Sequence, residues 1–184
     1  MYKNQSIPCM VLAAGRGERM RPLTDHTPKP LLKVKGKALI DWHIDGLTAN
    51  HLTDIVVNHA WLGEQITEHF NQGKFKDINV QLSAEHEALE TAGGLRQAMP
   101  LMKIDDYFFA INGDVFCPQF PFEKILDITN QLRKNERPPM AYLFLTQNPS
   151  HHPEGDFQLN GNLVTDKTSS SINHTFSGAG LYHQ

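Results

Sequence analysis

Apolar and polar positions along the chain change period repeatedly, and each change marks an element. The continuous apolar run Ile7–Ala13 predicts a buried strand. Ala38–Ala49 places Leu39, Ile40, Ile44 and Leu47 at helical spacing, and Leu62–Phe70 does the same with Leu62, Ile66 and Phe70. Between them Asp54–Asn58 reads as a short strand around Ile55-Val56-Val57. Ile78–Leu82 alternates as a strand, and Ala92–Met99 reads as a short helix ended by Pro100. Tyr107–Asn112 is a second buried strand, followed by a helix over Phe122–Asn135 with Ile125, Ile128 and Leu132 on one face. Met140–Thr146 and Thr175–Tyr182 are later strands, with a hairpin over Phe157–Thr165 turning at Asn160-Gly161. Strands alternating with helices predict an α/β protein: a Rossmann-like mixed sheet with helices on both faces, its antiparallel additions in the second half.

The 184 residues suit one domain, residues 1–184, with a substantial core. Hydrophobic content of 40% and charged content of 20% are those of an ordinary globular chain. No apolar stretch approaches the roughly 20 residues of a membrane span, and Met1–Ser6 is too polar to begin a secretory signal. The expected location is therefore the cytoplasm, with no membrane partner. Cys9 and Cys117 have no metal-binding spacing and read as buried, reduced thiols.

A net charge of −3 gives no general attraction to polyanions, so no nucleic-acid partner is expected. The distribution changes the picture. Up to Lys37 the chain carries eight Lys/Arg and two acids, an excess that suits a compact phosphate ligand. Lys33, Lys35 and Lys37, alternating around Val34, read as solvated lysines of an edge strand.

The densest chemistry follows the first strand. Leu12-Ala13-Ala14-Gly15-Arg16-Gly17-Glu18-Arg19 is followed by Thr27-Pro28-Lys29-Pro30-Leu31. Gly15 and Gly17 let backbone N–H groups approach a ligand, with Leu12, Ala13 and Ala14 leading into the turn. Arg19 and Lys29 supply a fork and a point charge for phosphate oxygens. It is not a P-loop, because G-x-x-x-x-G-K-[ST] is absent, and Met20 stands where a dinucleotide fingerprint needs its third glycine.

Asn112-Gly113-Asp114 lies at the carboxyl end of a strand, where open α/β sheets bind ligands. A carboxylate beside phosphates holds Mg²⁺; the plainer reading of Asp114 is a turn-capping aspartate. Glu85 to Gly94 also joins a strand to a helix. Glu85 and Thr91 are candidates for hydrogen bonds to a base, and Gly93 permits close approach; Thr91 reads equally as a helix N-cap. His151 and His152 read as exposed loop residues, and Trp61 as a core or rim residue.

The longer string A-A-G-x-G-x-R-x-x-P-x-T with T-P-K-P-L resembles the signature of the sugar-phosphate nucleotidyltransferases. Glu18–Thr24, Asn58–Leu62 and Gly155-Asp156-Phe157 resemble the branch acting on N-acetylmuramate 1-phosphate in bacterial cell-wall recycling. The resemblance implies a nucleoside triphosphate, UTP by preference, and a sugar 1-phosphate as partners. Arg19 and Lys29 are then catalytic and Asp114 a ligand of Mg²⁺. Leu12 to Gly15, Gly17, Glu85, Thr91 and Gly93 hold the nucleotide; Asn112, Gly155, Asp156 and Gly178 face the sugar.

The mannose-1-phosphate guanylyltransferases and glucose-1-phosphate thymidylyltransferases share the first two motifs and are the alternatives, beside a non-catalytic nucleotide-binding module. Two departures stand out. Glu90 replaces a glycine usual in that stretch. The family's second metal-binding aspartate follows the last strand, whereas this sequence runs to Gln184. On that ground a shortened C-terminal part and self-association through the face it leaves open are expected.

Overall fold

The computed structural model describes residues 7–72, 75, 78–87, 89–167 and 172–184. Lys3 of the charge count and Ala88 of the Glu85–Gly94 segment lie outside them. Strand β1 (Cys9–Leu12) runs up the middle of the sheet. A small hairpin of β2 (Lys33–Val34) and β3 (Lys37–Ala38) follows, then α1 (Leu39–Ala49) and β4 (Ile55–His59). Next come α2 (Gly63–Asn71), β5 (Val80–Ala84), α3 (Glu90–Ala98) and β6 (Tyr107–Asn112). The second half contains α4 (Ile125–Leu132), β7 (Ala141–Thr146), β8 (Phe157–Asn160), β9 (Leu163–Asp166) and β10 (Asn173–His183).

Eight strands form one sheet in the order β5-β4-β1-β6-β10-β8-β9, with β7 also on β10. The first four are parallel, and β10 enters antiparallel against β6. Every residue of β4, and all but the last of β1 and β6, is buried, as strands covered on both faces require. Alternation along β1 sorts the core. Cys9 and Val11 join Ile40, Ile44, Ile66 and Ile125 from α1, α2 and α4 on one face, while Met10 packs with Ala98 and Met102 beyond α3 on the other. The Rossmann-like mixed sheet with helices on both faces is therefore the observed fold. Among the described residues no helix is long and apolar enough to cross a membrane.

Four local expectations need correction. Lys33–Lys37 is not one edge strand. Lys35 and Gly36 take positive φ angles (53° and 80°) and fold the segment into the β2–β3 hairpin. Lys37 is not simply solvated either: it pairs with Asp45 at 2.6 Å and lies over the Trp42 ring. α3 does end before Pro100, at Ala98, but it starts at Glu90 rather than Ala92, and Pro100 sits in a single 3₁₀ turn, Met99–Leu101, where its missing N–H costs nothing. The segment from Phe122 begins as a 3₁₀ turn (Phe122–Lys124), and its α-helix ends at Leu132. Cys9 and Cys117 are both free thiols, but only Cys9 is fully buried; burial first, and then the Asp54 charge, raise its pKa.

Gly46 faces the core so closely that an added Cβ would lie inside van der Waals contact of the buried Phe122 ring. Gly46→Ala is expected to destabilise the protein by about 1–3 kcal/mol through overpacking, despite alanine's better helix propensity. Urea unfolding checks this: the midpoint should fall with the slope unchanged.

Candidate active site

The carboxyl ends of the parallel strands open onto a cleft of about 550 Å³. Leu12, Ala13, Ala14 and Gly15 form its floor, and Asn58, Asn112 and Asp114 come from the ends of β4 and β6. Glu90 and Thr91 close one side from the start of α3, while Arg16, Glu18 and Pro30 complete the wall.

A buried polar bridge holds these ends in register. Asn58, 2% exposed, accepts a hydrogen bond from the Ala13 N–H at its Oδ1 (2.8 Å) and donates from Nδ2 to Glu85 Oε1 (2.6 Å). The second carboxylate oxygen of Glu85 accepts the Leu89 N–H (3.0 Å). Gly94 makes room, since a Cβ there would lie 2.6 Å from both Asn58 Nδ2 and Glu85 Oε1. The bridge thus ties β1, β4, the loop after β5 and α3 together. Glu85 is 6% exposed and spends both oxygens on it, so it is not part of the cleft wall.

Lys29 and Asp114 meet across 85 residues of chain, Nζ donating to Oδ2 at 2.6 Å. Both side chains remain partly accessible, at 25% and 32%. Lys29 begins a rigid 3₁₀ turn (Lys29–Leu31) with Pro28 before it and Pro30 inside it. Gly17, at φ +67°, lets the glycine loop lie directly on the lysine stem; a Cβ would sit 2.9 Å from that of Lys29. Asp114 is placed by its own loop. Gly113 N–H donates to the Leu12 carbonyl (2.8 Å), and His43 Nε2 lies 2.7 Å from the Val115 carbonyl. That carbonyl accepts, so Nε2 carries the proton. Burial lowers the His43 pKa, against smaller opposing effects of the Val115 carbonyl and the Asp114 charge, so the ring is neutral.

The remaining candidates separate. Asn112 and Gly178 are brought together: Gly178 takes φ +81° where the β10–β7 register slips, and a Cβ there would lie 2.8 Å from Asn112 Nδ2. Gly155 and Asp156 are outside the cleft wall and latch a loop to β10, because Asp156 accepts the Phe176 N–H (2.8 Å). The same carboxylate pairs with His152 at 3.0 Å, so that histidine is not a free loop residue. Arg19 is exposed on the 3₁₀ turn Glu18–Met20, away from the cleft lining. Gly93 packs on Leu89. Thr91 is not an N-cap: α3 starts one residue earlier, and its cap position is Leu89. Glu90 has φ +58°, a conformation that glycine adopts without strain, which accounts for the glycine usual at this point in the resembling family. Asn58 enters the sequence only as part of the Asn58–Leu62 stretch, though a polar side chain ending an apolar strand is a signal of a buried bridge.

The cleft thus joins a glycine loop to a post-strand aspartate, with Lys29 reaching that aspartate from outside the lining. Residues 9–152 match the nucleotidyl transferase family model, and the chain belongs to that family. The N-acetylmuramate alpha-1-phosphate uridylyltransferase of Neisseria meningitidis serogroup B is 45% identical over 175 residues, covering 94% of this chain and 74% of that protein. A mannose-1-phosphate guanyltransferase of Gibberella zeae is 40% identical over 119 residues, 64% of this chain but only 32% of that protein. Among solved structures, a UDP-glucose pyrophosphorylase from Acinetobacter baumanii shares the fold with a TM-score of 0.79 at 12% identity, covering 97% of this chain and 75% of that one.

Two outcomes follow from this geometry. Asn58→Ala leaves the Ala13 N–H and a Glu85 oxygen without partners and should cost about 1–3 kcal/mol, read by denaturant unfolding. Nucleotide affinity should fall with it. For His43, the folded pKa lies below the unfolded value of about 6.5. The unfolded chain therefore takes up the proton first, and stability is lost as pH falls through that value. Urea midpoints between pH 7 and pH 5 should decline, and His43→Gln, which keeps a donor for the Val115 carbonyl, should flatten the slope.

Proposed function

We propose that the protein transfers a uridylyl group from UTP to N-acetylmuramate 1-phosphate, releasing pyrophosphate, and serves the cytoplasmic recycling of cell-wall sugars. The observation that carries the chemistry is the Lys29–Asp114 pair at the mouth of the glycine loop, a fixed cation and a carboxylate where phosphates would lie. The choice of sugar and base rests on the 45% identity to the Neisseria uridylyltransferase.

In this reading a phosphate oxygen of the sugar 1-phosphate attacks the α-phosphorus in line, and the bond to the bridging β-oxygen breaks. The attacking oxygen is already ionised, so no general base is required. Catalysis consists of positioning and charge neutralisation. The Lys29 ammonium exchanges its carboxylate partner for the α-phosphate, where two anions converge. Arg19, exposed on the turn Glu18–Met20 outside the cleft lining, would meet the leaving phosphates only as they depart toward solvent. Gly15 and Gly17 bring backbone N–H groups to the phosphate oxygens. Asn112 and Gly178 stand on the β10 side and face the sugar.

Among the described residues no three His, Cys, Asp or Glu side chains gather as a metal cage. A partly exposed lone carboxylate fits Mg²⁺, which is commonly bound by one or two carboxylates together with substrate phosphates. Asp114 would hold it, and the ion would spread the charge of the phosphates.

Pyrophosphate release tests the proposal: UTP with N-acetylmuramate 1-phosphate should exceed GTP with mannose 1-phosphate and dTTP with glucose 1-phosphate. Preference for either of those pairs would reassign the substrates, and nucleotide binding without any release would make the protein a non-catalytic module. Lys29→Ala should lower turnover by about 10²–10⁴-fold with the fold intact. Near-normal turnover would sink the role given to Lys29.

A further inference from the structure

The turn between β4 and α2 sends an aromatic side chain back over the phosphate-facing loop, a contact that the chemistry above leaves unused. Trp61 donates its indole N–H to the Thr24 carbonyl (3.0 Å). Thr24, 2% exposed, donates its hydroxyl to the Gly17 carbonyl (2.9 Å). Trp61 therefore braces the glycine loop through one intervening residue. Its ring face carries a second load: the Arg16 guanidinium lies over it, Cζ 4.5 Å from the centroid.

Arg16 has little else to hold it. Its nearest acid, Glu18, is 3.9 Å from Nε, with side-chain exposures of 51% and 72%, a geometry that contributes almost nothing. A guanidinium held over an aromatic face by its Cζ leaves its N–H donors for other partners, and their fork matches a phosphate. Arg16 also lines the cleft with Gly15 and Asp114. The sheet order β4-β1-β6-β10 sets its side. Trp61, after β4, draws it to one flank of β1, while Asn112 and Gly178 stand on the other. Its ligand is accordingly on the nucleotide side, where the triphosphate has the highest charge density.

We propose that Arg16 binds the β,γ-phosphate end of the nucleotide, the part that leaves as pyrophosphate, and that Trp61 is the residue positioning it. This rests on the nucleotidyl-transfer reading and names a binding residue outside the loop's glycines, Arg19 and Lys29. The stacking fixes the guanidinium before the ligand arrives, so less side-chain freedom is lost on binding.

The test is calorimetric titration of the full chain with inorganic pyrophosphate in the presence of Mg²⁺, with steady-state KM values measured alongside. Arg16→Ala should weaken pyrophosphate by about 10- to 100-fold, the effect of losing charge-assisted hydrogen bonds. The KM for the nucleoside triphosphate should rise while that for the sugar 1-phosphate stays within about twofold. Trp61→Leu should weaken pyrophosphate by about 3- to 10-fold, and Trp61→Phe, which keeps a ring face, should recover most of it. In the Arg16→Ala background Trp61→Leu should cost only the small loss that comes from the Thr24 brace, well below its effect in the unaltered protein, whereas a tryptophan acting through Thr24 alone would show its full loss in both backgrounds. Unchanged affinity in Arg16→Ala, or fully additive losses in the double variant, overturns the proposal. If the unaltered protein neither binds pyrophosphate nor transfers a nucleotide, the nucleotidyl-transfer reading fails first, and this inference falls with it.

Discussion

One buried amide holds the working end of the molecule together. Asn58 sits at the end of an apolar strand, where its polar atoms are stable only if every one that leaves water finds a partner. It finds them in two directions, the Ala13 backbone and the Glu85 carboxylate. The ends of β1 and β4 and the start of α3 are consequently one rigid piece rather than three loops. A charged oxygen of Glu85 in the bridge makes each bond stronger, and makes any gap in the bridge more costly. The cleft floor from Leu12 to Gly15 inherits its position from this arrangement.

On that floor the balance of charge is set across long stretches of chain. Lys29 and Asp114 are held apart from bulk water only in part, so their pairing is exchangeable rather than locked. A pair of this kind keeps two side chains in readiness. The lysine is restrained by prolines and by Gly17, and the aspartate by the Gly113–Leu12 bond and by neutral His43 beneath Val115. A charged group entering between them would meet partners whose positions are already settled, with little reorganisation left to make.

Much of the architecture was legible in the chain because period and burial speak the same language. The apolar run Ile7–Ala13 reads as a buried strand and contains β1, Cys9–Leu12, and Tyr107–Asn112 is β6 as read. The helix beginning near Leu39 and the β8–β9 hairpin followed from local chemistry, although Asn160 pairs with Leu163 and the turn falls on Gly161-Asn162, one residue later than Asn160-Gly161. Where reading failed, the reason was a short-range conformation without a periodic signature. Lys35 and Gly36 reverse the chain in two residues, and Thr91 missed its cap role because α3 begins on Glu90 with a left-handed backbone.

The sequence by itself determined the sheet's strand-helix alternation and the glycine turn that follows β1, because these depend on side-chain type and local spacing. Only the tertiary structure decided which polar groups face the cleft and which are consumed in holding it. Glu85 and Asp156 both read as ligand contacts, yet one completes the Asn58 bridge and the other anchors a loop to the Phe176 N–H. Trp61 read as a core or rim residue and is half-buried, but that it reaches Thr24 and Arg16 appears only in the fold. A carboxylate or an indole carries no mark of its partner in one dimension. Its partner is chosen by which backbone donor or acceptor the fold leaves unsatisfied beside it, and that is known only when all the strands are in place.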